Sequence, residues 1–421
     1  MIKHNFFYIK FVQYKNLFEN IFSLSALQIV NYIIPLVSYP YLIRIIGIEN
    51  IGKLAVVTAV TSYFLLISDF GFNFSATKQI SDNRHNPEIY SKIFTEVLLA
   101  KLILVVTCFI FLVFAISTIH FFRENAFLFF LTFGMVIGQA IFPVWFFQGI
   151  EEMKQISIIN IISKVSFTLA IFFFVKTNFD YWIVPLLTSL GYVFGGLYAF
   201  FLALFKFKIK FRLPLLKGIT QQYVDGWHIF TSRIYVNLYS SSNIILLGFF
   251  ASPIVVGNFS VAEKIIQAIS SIFGPILQAF YPFLANLYRV SRKRFFIFFD
   301  KLNLILLIFS FGASLVALVF ADEIVSIVTG SSDSNVISIF SILALTIISS
   351  PFGPSFTNGM LVLGKDRIFS KIVRNSFFLN FILILPLVYL YNYTGLAVTY
   401  VIIQYYTITH LYFILKNSKN L

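Results

Sequence analysis

The stretch from Leu98 to Ile119, LLAKLILVVTCFIFLVFAISTI, decides the fold class. Only Lys101, Thr107, Cys108, Ser117 and Thr118 interrupt its apolar run. At about 1.5 Å per residue, a helix of this length crosses the roughly 30 Å hydrocarbon core of a bilayer. A membrane β-strand would alternate apolar and polar residues, and this stretch does not, so a barrel is excluded. Lys101 is the one charge within it, at a depth intermediate between a helix end, where a lysine snorkels, and the bilayer centre.

Outward from this stretch the same pattern recurs. Twelve apolar stretches of spanning length lie near 17–46, 51–72, 92–118, 125–149, 156–176, 180–205, 226–250, 254–283, 296–320, 336–363, 368–391 and 395–415. The 421 residues are 59% hydrophobic and 11% charged, against about 25% charged in an ordinary soluble domain. The predicted fold is therefore an all-α integral membrane protein of twelve transmembrane helices. A single cysteine, Cys108, can form no internal disulfide, and five scattered histidines offer no ligand spacing, so no metal site is expected. No catalytic constellation and no cofactor motif is present either; Asp69-Phe70-Gly71 spells a kinase tripeptide but lacks the glycine-rich and catalytic loops that would give it meaning.

Charge placement sets the expected orientation. Of the 31 Lys and Arg residues, 22 fall at the termini or in the even-numbered breaks, among them Lys78, Arg84, Lys206, Lys208, Lys210, Arg292, Lys293, Arg294, Lys365 and Arg367. The opposite breaks hold only Arg44, Lys53, Arg123 and Lys176, and the loop near Asp322, Glu323 and Asp333 is acidic. Because cytoplasmic loops retain Lys and Arg, both termini are expected in the cytoplasm. The net charge of +14 then reflects topology, and no soluble basic face exists for nucleic acid. The basic, proline-containing break at 206–221 divides the chain into an N-terminal six-helix lobe (1–205) and a C-terminal six-helix lobe (222–421). Both lobes begin on the same side, so a repeat would be parallel. Ile51-Gly52-Lys53-Leu54-Ala55-Val56 resembles Val256-Gly257-Asn258-Phe259-Ser260-Val261, at an offset of 205.

Polar residues share faces of several spans. Ser25, Gln28, Asn31 and Ser38 do so in the first, Arg233, Asn237, Ser240 and Ser241 in the seventh, and Glu263, Lys264, Gln267 and Gln278 in the eighth. The simplest arrangement has such faces lining one polar cavity between the two bundles. Hydrogen bonding between helices is the plainer explanation for the amides and hydroxyls alone. Arg233 and Lys264 change the balance, because a charge at mid-membrane costs about 2.5 to 3.5 kcal/mol even on the lenient insertion scale and so needs water, a partner or a ligand. Gly134-x-x-x-Gly138 and Gly191-x-x-x-Gly195 read as packing motifs. Asp69 opposes the dipole at a helix C-terminus and is expected to cap or pair across a junction; a structural ion pair between Glu263 and a cation on a neighbouring helix is the alternative to a ligand.

The run Leu27 to Gly47, then Asp69-Phe70-Gly71-Phe72-Asn73 with Ser75-Ala76-Thr77, Trp145-Phe146-Phe147-Gln148-Gly149, Ala262-Glu263-Lys264 and Gln278 to Pro282 resemble the O-antigen flippases of bacterial polysaccharide assembly. The resemblance covers most of the chain and is strongest before residue 285. It implies the fold shared with multidrug/toxin extruders: two six-helix bundles around a central polar cavity, working by alternating access in the bacterial inner membrane. It implies transport and not an enzyme reaction. The implied substrate is an undecaprenyl-diphosphate-linked oligosaccharide moved from the cytoplasmic to the periplasmic leaflet, with a polysaccharide polymerase and a chain-length regulator as further partners. Candidate substrate-binding residues are Arg233, Lys264, Arg44, Asn31, Gln28, Asn237, Gln267, Lys101 and Lys164. Coupling to Na+ or H+ is left open, with Asp69 and Glu263 as its candidates. Competing readings are a multidrug or cation extruder of the same fold, which should favour acidic cavity residues, a membrane polymerase or ligase of lipid-linked sugars, and an uncoupled scramblase.

Overall fold

The computed structural model describes the backbone of residues 2–211 and 216–419, with most side chains from residue 26 onward. Residues 212–215 of the expected linker, and the side chains of Ser25, Ser240, Ser241 and Gln278 in the polar stripes, lie outside the described residues. Helices make up nearly all of the described chain, and no strand occurs among the described residues. In order they are α1 (Ile2–Asp69), α2 (Phe72–Asp82), α3 (Pro87–Thr118), α4 (His120–Glu124), α5 (Ala126–Ile141), α6 (Val144–Gly149), α7 (Met153–Phe174), a 3-10 turn (Asn178–Trp182) and α8 (Ile183–Lys206). There follow α9 (Leu216–Phe250), α10 (Pro253–Ser270), α11 (Phe273–Val290), α12 (Arg292–Val319), α13 (Ala321–Thr329), α14 (Ser334–Ser349), α15 (Phe352–Val362) and α16 (Asp366–Lys419).

Nine helical stretches among the described residues are long and apolar enough to cross a membrane. The first, Ala26–Asp82, has 57 residues, about 85 Å of helix and room for two crossings. It is broken at Gly47, whose φ of 79° and ψ of 163° only glycine adopts without strain. The last long helix, α16, carries Pro386 and supplies two of the nine. The segments expected as spans seven and eight are helical but absent from the nine, because α9 carries Gln221, Gln222, Asp225, Arg233, Asn237 and Asn243, and α10 carries Asn258, Glu263, Lys264 and Gln267.

The element order repeats. Helix starts recur at offsets close to the 205 seen in the sequence: Phe72 and Phe273, Pro87 and Arg292, Ala126 and Ser334, Val144 and Phe352. Thus α2, α3, α4, α5 and α6 correspond to α11, α12, α13, α14 and α15, and α7 with α8 to the bent α16. Each copy builds its own core from corresponding helices. One core joins Phe72, Phe94, Trp145, Phe146, Ile159 and Ala199; the other joins Phe273, Phe295, Phe299, Phe356, Met360 and Leu411. The two similar hexapeptides meet at their glycines. A Cβ on Gly52 would lie 1.9 Å from the Pro253 carbonyl oxygen, and one on Gly257 would lie 2.1 Å from that of Ile48.

Contacts gather the chain into two compact units, Met1–Ser38 with Val60–Ile234, and Tyr39–Ala59 with Tyr235–Leu421. In the first unit α5 and α8 cross backbone to backbone. A Cβ on Gly138 would fall 2.3 Å from the Tyr192 carbonyl carbon, and one on Gly196 would fall 2.4 Å from the Gly138 oxygen. Gly134 sits against Ser189, Gly191 against Phe167 and Gly195 against Ser163, so both small-residue motifs pack helices together.

Candidate functional site

Helix α3 shows how Lys101 comes to be buried. Ile103, Val106, Ile110, Val113 and Phe114 are exposed along one apolar face, whereas Lys101, Val105, Cys108, Leu112 and Ala115 recur at spacings of three and four along the buried face. The helical period therefore carries the lysine inward. Its side chain is 1% exposed.

The anion that meets it is Asp69, the last residue of α1. Beyond Asp69 the chain turns sharply through two left-handed residues, Phe70 (φ 44°) and Gly71 (φ 82°), and enters α2. A left-handed non-glycine residue costs about 1–2 kcal/mol, and here the Phe70 ring is clamped. It stacks on Phe230 at 4.5 Å and meets Tyr223 edge-on at 5.3 Å. Gly226 of α9 lets the corner approach closely, since a Cβ there would lie 2.6 Å from the Phe70 carbonyl oxygen. The first half of α9 is anchored further by Tyr223, which donates to the Ala100 carbonyl at 2.8 Å, and by Gln222, whose amide donates to Glu96 and Gln79 at 3.1 Å each.

This docking brings Arg233 to the same carboxylate. Lys101 Nζ lies 3.4 Å from Asp69 Oδ1, and Arg233 Nη1 lies 2.8 Å from Asp69 Oδ2. Each cation also faces a ring: Lys101 is 4.4 Å from the centre of Trp145, and the Arg233 guanidinium carbon is 5.3 Å from that of Phe74. The cluster has two cations and one anion, with unequal access. Asp69 and Lys101 are buried, whereas the Arg233 side chain is 44% exposed. All three belong to the first compact unit.

The other sequence candidates divide among different places. Lys164 Nζ donates to Asn31 Oδ1 at 2.7 Å, joining two residues expected in one polar lining. Arg44 does not stand among them; its guanidinium donates to the Ile327 carbonyl near the end of α13, where cations complement the helix dipole. Gly330 leaves the space for it, with a Cβ there falling 3.2 Å from Arg44 Nε. Lys264 donates to Gln267 at 3.2 Å, and both are exposed. The neighbouring Glu263 points inward, 5% exposed, and its Oε2 has no hydrogen-bond partner. The alternative of an ion pair between Glu263 and a cation of a neighbouring helix is not found among the described ion pairs. Gln28 and Asn237 are half-buried, and both take part in interactions.

Sequence reasoning treated Lys101, Arg233 and Asp69 separately and missed Trp145 and Phe74 as their aromatic partners. The signal for Trp145 was its place in the Trp145 to Gly149 stretch, but nothing local marks a tryptophan as the lid of a lysine in another helix. Among the described residues no group of His, Cys, Asp and Glu could hold a metal ion.

An all-helical membrane protein with two copies of one helical arrangement and an ion cluster within one compact unit falls within a known class of folds. The structure superposes on the lipid II flippase MurJ in an inward closed conformation with a TM-score of 0.73 at 11% identity, covering 94% of this chain and 87% of that one. It superposes on an inward-facing multidrug resistance MATE family transporter of the MOP superfamily with a TM-score of 0.72 at 14% identity, covering 95% and 99%. At these identities the likeness shows the fold. The model of the polysaccharide biosynthesis protein family matches residues 17–288, and the chain belongs to that family. A relative from Escherichia coli (strain K12), named "Putative O-antigen transporter", is 29% identical over 407 residues, spanning 95% of this chain and 97% of its own.

Proposed function

We propose that this protein is a flippase that carries an undecaprenyl-diphosphate-linked oligosaccharide from the cytoplasmic to the periplasmic leaflet of the inner membrane. The diphosphate and sugar hydroxyls cannot cross hydrocarbon bare, because each unpaired polar group costs several kcal/mol and the charges far more. The observation that carries the reading is Arg233. It is a half-exposed guanidinium with one nitrogen on a buried carboxylate, on a helix too polar to count among the apolar spans. Arginine suits phosphate through paired planar donors. The proposed cycle is alternating access of two lobes, 1–205 and 222–421, joined by 206–221, with Lys264, Lys164 and the amides of Asn31, Gln28, Asn237 and Gln267 as further head-group contacts. The buried Glu263, one of whose carboxylate oxygens has no hydrogen-bond partner, is the residue left for ion coupling, since two cations already hold Asp69. A drug extruder of the same fold would rely on such carboxylates, and the occupation of Asp69 weighs against it. That the relatives carry transporter names supports transport over polymerase or ligase chemistry.

The test is deletion of the gene in its native host, with identification of the lipid-linked intermediate that accumulates. Complementation by Arg233→Gln and Lys264→Gln, with protein quantified in the membrane, should leave folded protein and lower the surface polysaccharide. Normal polysaccharide at normal abundance in both would remove the assignment. Reporter fusions after residues 84, 212, 292 and 368 should read cytoplasm, and those after 123 and 330 periplasm; inversion at two sites would overturn the orientation.

A further inference from the structure

We propose that Asp69 is a built-in stand-in for the substrate's diphosphate, holding Arg233 until phosphate displaces it. This rests on the flippase reading and assigns a role to a residue that the reading otherwise leaves structural. Three features of the cluster support the exchange. First, its charges are unequal in number: one carboxylate faces two cations. When Arg233 leaves, Asp69 and Lys101 remain as a neutral buried pair, so release strands no charge. Departure of Lys101 would instead leave a bare cation in a site closed by Trp145, which is costly. The structure therefore marks Arg233 as the member that can leave.

Second, access follows the same order. Arg233 is 44% exposed on its side chain while its partner carboxylate is 8% exposed, so an incoming anion can reach the guanidinium without opening the core. Third, Asp69 engages Arg233 through Nη1 alone at 2.8 Å. A diphosphate, with two non-bridging oxygens on each phosphorus, can offer the paired, parallel geometry that one oxygen of a shared carboxylate does not. The Phe74 ring, 5.3 Å from the guanidinium carbon, provides a flat surface that supports the arginine through the change of partner. Competition of this kind weakens head-group binding, and it also lowers the barrier to release, because Asp69 is waiting to take the arginine back.

Inorganic pyrophosphate is the probe, with binding to full-length protein in nanodiscs read by equilibrium dialysis. Asp69→Asn alone leaves Lys101 unpaired and can fail to fold, so the informative variant is Asp69→Asn/Lys101→Met, which removes the buried anion and cation together. Asp69→Asn/Lys101→Gln serves where methionine leaves too little folded protein. The double variant should bind pyrophosphate about tenfold more tightly than wild type, and Arg233→Gln should abolish binding in either background. In cells the double variant should carry polysaccharide more slowly at normal protein abundance. If the double variant binds no more tightly than wild type while Arg233→Gln still abolishes binding, the stand-in role is wrong and the phosphate site survives. If Arg233→Gln leaves pyrophosphate binding intact in both backgrounds, the phosphate site itself is wrong, and this inference falls with it.

Discussion

Helices α3 and α12 begin corresponding segments of the two compact units, yet they differ at one buried position. Counted from the helix starts Pro87 and Arg292, Lys101 of α3 matches Leu306 of α12, a core residue 4% exposed. Trp145, second in α6, matches Gly353, second in α15, where a Cβ would meet nothing within 4 Å. Asp69, three residues before α2, matches Ser270, three before α11. The second unit thus carries no counterpart of the cluster at these positions, and its joint between α10 and α11 runs through right-handed residues, Ser271 (φ −62°) and Ile272 (φ −59°), in place of the left-handed Phe70 and Gly71. Packing of these helices does not require a buried lysine, an aspartate and an indole, so their presence in the first unit answers another demand. Buried ion pairs add little net stability over apolar residues of similar volume, which points the same way.

The comparison is broken most forcefully by moving the charge. Leu306→Lys places an unpaired ammonium in the apolar corner, and should cost at least about 3 kcal/mol; membrane abundance and detergent thermal denaturation should both collapse. Normal abundance would mean that the two corners tolerate charge equally. Asp69→Asn should come next, costing about 3 kcal/mol by leaving Lys101 without its anion. Adding Lys101→Met should restore most of that loss, and a double-mutant cycle reads the coupling directly; additive losses would show that the two residues act independently. At the crossing of the two hexapeptides, Gly257→Ala should cost about 1–3 kcal/mol, because its new carbon meets backbone that cannot move aside. Gly353→Ala, with open space around it, should stay within about 0.5 kcal/mol of wild type, and a larger loss would mean that the α15 position is packed after all. A similarly small effect belongs to Arg44→Gln. As a cap on the end of α13 it should give up about 0.3–1 kcal/mol and leave transport per folded molecule unchanged; loss of transport at full stability would return Arg44 to the substrate path.

Much of the architecture was legible in the residues. Leu98 to Ile119 announced a spanning helix because apolar length is a local property, and the hexapeptide pair announced a repeat that the helix starts Pro87 and Arg292 carry through the fold. The small-residue motifs at Gly134 and Gly191 named helix faces that do pack closely. The polar stripe on α10 was visible too, but its members part company: Lys264 is exposed while Glu263, one residue earlier, is buried. Adjacent residues on a helix differ by about 100°, and a stripe drawn some 120° wide cannot say which edge faces the core. Arg44 was legible as a cation on the sparsely charged side, but its acceptor is a backbone carbonyl 283 residues away, and no side-chain pattern marks a carbonyl.

By itself the sequence determined the helical membrane class, pointed to the repeat, and marked Arg233 and Lys264 as charges that need compensation and Asp69 as a carboxylate that opposes its helix dipole. Those follow from the cost of charge in hydrocarbon and from periodicity, both of which act within a few turns of chain. Only the tertiary structure decided who compensates whom. Lys101 and Arg233 lie 32 and 164 residues from Asp69, and they meet because the Phe70–Gly71 corner docks against Gly226 and the aromatic face of α9. A sequence states the charge of each helix; which helices become neighbours is settled by the packing of large apolar surfaces, to which the charges contribute almost nothing until they are already side by side.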